Sequence, residues 1–252
     1  MGISVTAEGI REIGPFVYRN SLPEAVILPN TVRVSHEVIG YRTAALLYSS
    51  NDDFTRSAAE TFRRELEGRG VRIVATETFS TGDTDFRAQL TKVAAANPDV
   101  LVVSAFFREA SLLLRQARQL GLNQPVVGGN GFNSPELTAN AGAAAEGIIV
   151  GSPWYGDRDH PNTRRFVEEY TARYGVPPDQ FAAQAYDALF IFAEAIRIAQ
   201  SGDDRLAFQR ALGQVKNYDG VTGLLSFDDR GEPSMSSYVL RVENGRFVAL
   251  TD

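Results

Sequence analysis

The residue types that carry most enzyme chemistry are scarce in this chain, and their spacing predicts no catalytic centre. There is no cysteine, which excludes thiol catalysis, disulfides and thiolate zinc sites. The two histidines, His36 and His160, are far apart and form no H-x-x-x-H pattern, so a metal site built on imidazole is not expected. No serine occupies a G-x-S-x-G elbow. We therefore predict no catalytic residue, no metal site and no cofactor.

Two polar motifs could carry chemistry of another kind. Asp52 and Asp53 follow an apolar run and are similar to the acidic pocket of a phosphorylated receiver domain, but neither Lys92 nor Lys216 is placed to complete it. The simpler interpretation is a solvated pair that caps a helix. Residues 128–131 (GGNG) could cradle a phosphate, yet neither a Walker motif nor a complete G-x-G-x-x-G is present. Nucleotide binding is therefore not favoured.

Aromatic residues follow two of the predicted strands. Phe106 and Phe107 come directly after the apolar run at residues 100–103, and Trp154 and Tyr155 follow a strand ending near residue 151. Rings at such positions either line a cleft or pack into the core. Both interpretations stay open for each pair.

The elements that must position these residues alternate through the first 150 residues. Short apolar runs predict strands at residues 43–48, 71–75, 100–103, 125–128 and 147–150. Between them lie amphipathic segments, such as the one that carries Ala58, Phe62 and Leu66. This alternation is typical of a parallel sheet covered on both faces, whose ligands lie beyond the carboxyl ends of the strands. The predicted fold class is α/β.

The rhythm changes after residue 155. Residues 160 to about 214 predict three helices without intervening strands, followed by strands near residues 221–227 and 237–242 and a hairpin turn at residues 243–245. The formal charge is 25 − 31 = −6, so a nucleic-acid partner is not expected. No apolar run reaches the ~20 residues of a membrane span, and the N-terminus does not read as a signal peptide.

Several segments, in one order along nearly the whole chain, resemble the leucine/isoleucine/valine-type solute-binding proteins of ABC importers, which have the type I periplasmic binding protein fold. The matching segments are residues 14–19 (GPFVYR), 53–58 (DFTRSA), 114–122 (LRQARQLGL), 128–135 (GGNGFNSP), 145–147 (AEG), 170–178 (YTARYGVPP), 182–188 (AAQAYDA) and 219–228 (DGVTGLLSFD). Each is weak alone, and together they are specific to this family.

The resemblance implies two lobes that are joined by three crossings of the chain and close on a small solute. Lobe two, residues 19–152 plus 235–252, is expected to be complete. Lobe one, residues 1–18 plus 153–234, is expected to be partial and mostly helical, because it lacks the N-terminal part of the family's sheet. The apolar face of residues 181–196 is then left without a partner, so a homo-oligomer or a second chain completing lobe one is a further expectation. A periplasmic or extracellular location and ABC permease subunits as partners also follow from the resemblance.

The resemblance also implies a set of ligand-binding residues. Phe54 stands where the family often places a ring that packs the ligand, and Asn130 stands where amino-acid binders often carry an acid. Because neutral Asn130 offers no charge-assisted bond to a ligand ammonium group, it argues against an α-amino acid, and the expected ligand is a small amino acid or, at least equally, a related organic acid or amide. The full expected set is Thr6, from a loop that grips the ligand carboxylate, with Phe54, Ser104, Phe106, Asn130, Trp154 and Tyr155.

Two other functions remain as alternatives. The first is a ligand-sensing regulatory or receptor domain of the same fold, which an attached signalling domain would favour. The second is an enzyme on a flavodoxin-like sheet, against which the missing nucleophile–base pair argues.

Overall fold

A computed structural model describes residues 1–251, and these form two compact units. Unit 1 comprises Met1–Pro23 and Pro153–Ser237, and unit 2 comprises Glu24–Ser152 and the chain from Tyr238 onward. Residues 19–23 and 235–237, expected in lobe two, therefore group with unit 1. The physical reason is visible at Arg19, which forms a salt bridge with Glu232 (2.7 Å), and at Asn20, whose amide donates to the Gln184 carbonyl (2.6 Å).

Strands and helices alternate through residue 152, as the sequence predicts. The elements are α1 (Glu24–Ile39), β1 (Thr43–Ser49), α2 (Asp53–Gly68), β2 (Arg72–Phe79), α3 (Arg87–Ala96), β3 (Val100–Ser104), α4 (Phe107–Gln119), β4 (Val126–Gly128), α5 (Pro135–Ala141) and β5 (Ile149–Ser152). All five residues of β3 are buried, as expected of a strand that is covered on both faces. Ala58, Phe62 and Leu66 on α2 are buried in the same core as β3 residues Val100 and Val102.

Unit 1 carries the three predicted helices and a minimal sheet. These elements are α6 (Pro161–Tyr174), α7 (Gln180–Ala199), α8 (Arg205–Gln214), β6 (Tyr218–Asp219), β7 (Leu224–Phe227) and β8 (Pro233–Ser234). The three short strands form an antiparallel sheet in the order β6-β7-β8. Ile191 and Ala195 of α7 pack with Leu212 of α8 and Phe227 of β7 to form the core of this unit.

The chain then returns to unit 2 and completes its sheet with β9 (Tyr238–Glu243) and β10 (Arg246–Thr251). The seven strands lie in the order β10-β9-β5-β4-β3-β1-β2, with β1 to β5 parallel and β9 antiparallel to both β5 and β10. The predicted hairpin turn is confirmed: Asn244 (φ 53°) and Gly245 (φ 75°) adopt the left-handed backbone that a tight hairpin requires. The last strand predicted from the sequence ends at residue 242, and β10 was not predicted.

The mostly parallel sheet flanked by helices confirms the predicted α/β class. Across residues 1–251, no helix is both long enough and apolar enough to cross a membrane.

Candidate functional site

The carboxyl ends of β1, β3, β4 and β5 lie along one edge of the unit 2 sheet, because these strands are parallel neighbours. The loops that leave this edge begin after Ser49, Ser104, Gly128 and Ser152. Four of the seven expected site residues, Phe54, Ser104, Phe106 and Asn130, are in or beside the first three of these loops, and Trp154 and Tyr155 are in the loop after Ser152, which leads into unit 1. This edge is the part of unit 2 where a parallel sheet binds ligands.

Two aromatic rings meet at this edge. Phe54 lies in the first turn of α2, and Phe106 immediately precedes α4; their ring centroids are 5.2 Å apart at an interplanar angle of 41°. Asp52 fixes the start of α2, because its carboxylate accepts the Thr55 N–H at 2.9 Å. This confirms the helix-capping interpretation of Asp52. Both rings are half-buried, so each keeps a face that does not belong to the core.

The turn after β4 packs directly against this aromatic pair. A Cβ at Gly131 would lie 2.5 Å from the Ala105 carbonyl oxygen and 3.2 Å from the ring of Phe54. Only glycine permits such an approach, so the structure brings residues 129–131 against Phe54 and the β3 loop. Asn130 is itself buried, with 3% of its surface exposed. The GGNG segment thus serves close packing at this edge.

Ser104, at the end of β3, is buried, and its hydroxyl oxygen has no hydrogen-bond partner among the residues described. Buried hydroxyls are normally hydrogen-bonded. At the next two strands of the sheet, Asn133 donates to the Ser152 hydroxyl at 2.5 Å and so ties the turn after β4 to the end of β5. The edge therefore combines fixed polar contacts with a hydroxyl that is available to another group.

Glu24, the first residue of α1, is a member of this edge that the sequence analysis missed. It is fully buried, and a Cβ at Gly129 would lie 3.4 Å from its Oε2. Burial raises the pKa of Glu24 to about 8; the adjacent Asn130 N–H opposes the rise but does not reach hydrogen-bond geometry. An acid in the first turn of a helix usually lies in solvent, so nothing in the local sequence distinguished it.

The other three expected residues belong to unit 1. Thr6 is buried in a segment without helix or strand, and the neighbouring Gly2 makes an isolated bridge to Arg19. Trp154 packs with Phe166, Ala183 and Val221, and Tyr155 is half-buried. Trp154 is thus a core residue of unit 1.

Unit 1 also contains a buried polar group that the sequence analysis missed. The Gln184 amide donates to the Ser21 hydroxyl at 2.9 Å, while the Asn20 amide donates to the Gln184 main chain. The amide oxygens of Asn20 and Gln184 have no partner in the described part of the chain. Both side chains are uncharged amides, and the two residues lie far apart in the sequence, so no sequence pattern predicted that they would meet.

Comparison with known protein families gives a match over most of this chain. A sequence profile of the periplasmic binding protein family matches residues 17–246. The chain belongs to the periplasmic binding protein family. The family and fold predicted from the sequence are thereby confirmed.

Individual members of the family share less than a third of their residues with this chain over the matched segments. It is 28% identical over 191 residues to a leucine-, isoleucine-, valine-, threonine- and alanine-binding protein of Pseudomonas aeruginosa, which covers 76% of this chain and 50% of the relative. A Leu/Ile/Val-binding protein homologue of Brucella melitensis is 26% identical over 78% of this chain and 53% of its own. The chain therefore spans about half the length of the curated relatives it matches.

Solved structures match over a larger share. A leucine-binding protein from Thermotoga maritima superposes with a TM-score of 0.89 at 26% identity, covering 96% of this chain and 69% of that one. A branched-chain amino acid transporter substrate-binding protein from Streptococcus pneumoniae, in complex with isoleucine, gives 0.86 at 29% identity, covering 97% and 69%.

The groups at the edge of unit 2 are of the kind that bind a small molecule in the periplasmic binding protein family. The edge of unit 2 offers ring faces, a hydroxyl, backbone groups and one carboxyl, which can pack against and hydrogen-bond a small molecule. Residues 1–251 contain no cluster of three or more His, Asp or Glu side chains that could hold a metal ion.

Proposed function

We propose that this chain is the ligand-binding part of the solute-binding component of an ABC importer and holds a small amino acid or a related organic acid or amide. The observation that carries the proposal is the family match over residues 17–246, combined with the aromatic and polar groups at the carboxyl edge of the unit 2 sheet. Two similar proteins support the ligand class: the Pseudomonas aeruginosa relative is named for leucine, isoleucine, valine, threonine and alanine binding, and the Streptococcus pneumoniae structure holds isoleucine.

The proposed mechanism is capture without covalent chemistry. The chain passes between the two units three times, after Pro23, Ser152 and Ser237, and such crossings are where two lobes hinge. Closure of the lobes around the solute would present it to ABC permease subunits at the outer face of the membrane, in the periplasm or outside the cell. A second chain, which covers exposed apolar side chains of α7 such as Leu189, is a further proposed partner.

Each expected residue has a proposed role in the capture. Phe54 and Phe106 pack against the apolar part of the solute, and Ser104 and Asn130 hydrogen-bond its polar part. Thr6, Trp154 and Tyr155 contribute from unit 1, either to the solute directly or to the hinge. The half-buried rings and the unpartnered Ser104 hydroxyl support the unit 2 assignments.

The test is a calorimetric titration of the purified chain with L-leucine, L-isoleucine, L-valine and L-alanine. Binding should also raise the stability of the chain, by about 2.7 kcal/mol when the ligand is at 100 times its dissociation constant. The Ser104→Ala variant should bind more weakly, whereas Ser50→Ala, which removes an exposed hydroxyl one residue beyond β1, should bind as the unmodified chain does. If neither these four amino acids nor the related acids 4-methylpentanoate and 3-methylbutanoate bind, this function is refuted for the chain.

A further inference from the structure

The Glu24 carboxyl lacks the partners that a buried acid normally has. The residue has none of its surface exposed, and neither Oε1 nor Oε2 has a hydrogen-bond partner among residues 1–251. Buried carboxylates are almost always paired with a cation or held by donors, because an isolated buried charge costs several kcal/mol. A buried acid that lowers the stability of the fold and makes no hydrogen bond is a candidate for a functional role.

Its position places it at the candidate site. Gly129 lies against Oε2, Asn130 presents its backbone N–H towards the carboxyl, and Gly131, two residues on, lies against the ring of Phe54. The same three-residue turn therefore has the carboxyl near one end and the aromatic pair at the other. Glu24 belongs to the polar end of the site in unit 2.

No cation among the described residues neutralises this carboxyl. Burial and the Asn130 N–H alone account for its altered pKa. The elements that pack on α1 are α2, β5 and β9. Their charged side chains, none of which contributes, are Asp53, Arg56, Glu60, Arg63, Arg64, Glu65 and Glu67 on α2 and Arg241 and Glu243 on β9, and those on α1 itself are Arg33, His36 and Glu37. Residues 1–251 therefore offer no cation to this carboxyl in its ionised form, and a ligand can.

We propose that Glu24 accepts the ammonium group of an amino-acid ligand and so selects amino acids over the corresponding carboxylic acids. This inference rests on the proposed function and names the group that recognises the ligand. An ammonium group supplies three N–H donors and the charge that a buried carboxylate requires. In the free protein the carboxyl is protonated at neutral pH; when the ammonium arrives, the carboxyl proton leaves to solvent and a charge-assisted pair remains.

The experiment compares pairs of ligands that differ only in the ammonium group. The purified chain is titrated calorimetrically at pH 6.5 with L-leucine and 4-methylpentanoate, and with L-valine and 3-methylbutanoate, in two buffers of different ionisation enthalpy. We expect each amino acid to bind at least about 10-fold more tightly than its partner acid, with release of roughly one proton. Glu24→Gln should weaken L-leucine binding about 10- to 100-fold and abolish the proton release, while 4-methylpentanoate binding is unchanged.

Two further variants protect the test against a folding defect. Glu24→Asp keeps the carboxyl and should retain proton release at reduced affinity. Glu60→Gln alters an exposed acid on α2 of the same unit and should leave L-leucine binding unchanged. Circular dichroism establishes that each variant is folded.

The outcomes separate the two proposals. If the chain binds 4-methylpentanoate as tightly as L-leucine, or if folded Glu24→Gln binds L-leucine with unchanged affinity, the role of Glu24 is refuted and solute binding stands. If neither the amino acids nor their partner acids bind the unmodified chain, the proposed function fails, and the role of Glu24 fails with it.

Discussion

Asp187 in unit 1 and Glu24 in unit 2 are both buried acids, with 1% and 0% of their surfaces exposed. Asp187 accepts hydrogen bonds from the Val221 N–H (2.9 Å), from the Thr222 N–H and hydroxyl (2.8 and 2.6 Å) and from the Tyr218 hydroxyl (3.3 Å). Glu24 accepts none from residues 1–251. Burial raises the pKa of both side chains, but four hydrogen bonds oppose the rise at Asp187.

The difference separates a structural acid from one available to a ligand. Asp187 ties α7 to the loop at residues 220–222 and so replaces apolar packing in a unit that has only short strands. Unit 2 has a seven-stranded sheet, and the Glu24 carboxyl makes no hydrogen bond to residues 1–251 that would hold this unit together. A buried acid with a full set of donors holds a fold together, and one without donors weakens it until a partner binds.

The largest expected effect is on the pH dependence of stability. The pKa of Glu24 is about 8 in the folded chain, against 4.5 ordinarily, so the folded state binds more protons between these values. The free energy of unfolding therefore falls as pH rises through this range, by up to about 5 kcal/mol, and is retained in full below pH 4.5. Glu24→Gln removes this dependence. Urea unfolding of both proteins at pH 5 and pH 8.5, with hydrogen exchange in unit 2, measures the difference.

Glu60→Gln, at an exposed position on α2, is the control for that experiment. Parallel profiles for Glu24→Gln and the unmodified chain would show that Glu24 titrates normally, and the contrast with Asp187 would disappear.

Removing the charge of Asp187 should give the next largest effect. Asp187→Asn leaves at least one of the buried N–H groups of Val221 and Thr222 without its acceptor, which costs about 3 kcal/mol. The loss should appear as faster hydrogen exchange at residues 218–223 and earlier unfolding of unit 1 in urea. Asp229→Asn, at an exposed position in the same unit, should change stability by less than about 0.5 kcal/mol. Equal effects of the two substitutions would contradict the structural role.

The aromatic residues of the two units should differ in their effect on binding. Phe54→Ala removes one ring of the pair at the unit 2 edge and should weaken L-leucine binding about 10-fold, since a buried aromatic contact contributes about 1.5 kcal/mol. Tyr174→Ala, which removes an exposed ring at the end of α6, should leave the affinity unchanged. Equal affinities of the Phe54 variant and the unmodified chain in calorimetry would remove Phe54 from the site.

The smallest effect is expected at the exposed face of α7. Leu189 has 66% of its surface exposed, so Leu189→Gln should alter the free energy of unfolding by less than about 0.5 kcal/mol. Ile191, two residues along the same helix, is fully buried, and Ile191→Gln should cost more than about 3 kcal/mol. Urea denaturation of the two variants at micromolar concentration distinguishes them. A large loss for Leu189→Gln would mean that this face is already covered in solution.

Helices, strands and turns that depend on local contacts or on a regular apolar spacing could be predicted from the sequence. Continuous apolar runs gave β1, β3, β4 and β5, and four-residue apolar spacing gave α2, because burial follows directly from the period of each element. Asp52 was identified as a helix cap since its partner, the Thr55 N–H, is three residues away. The hairpin at residues 243–245 followed from Asn-Gly, which favours left-handed backbone.

Tertiary structure alone decided which polar groups lose contact with water and which partners they find. Arg19 pairs with Glu232 from 213 residues away, and Asp187 meets Thr222 from 35 residues away, so neither contact has a local signature. Glu24 resembles any acid at the start of a helix until the turn at Gly129 packs against it. Whether such a carboxyl is solvated, paired or without a partner depends on the residues that the fold places beside it, and those residues cannot be predicted from the local sequence.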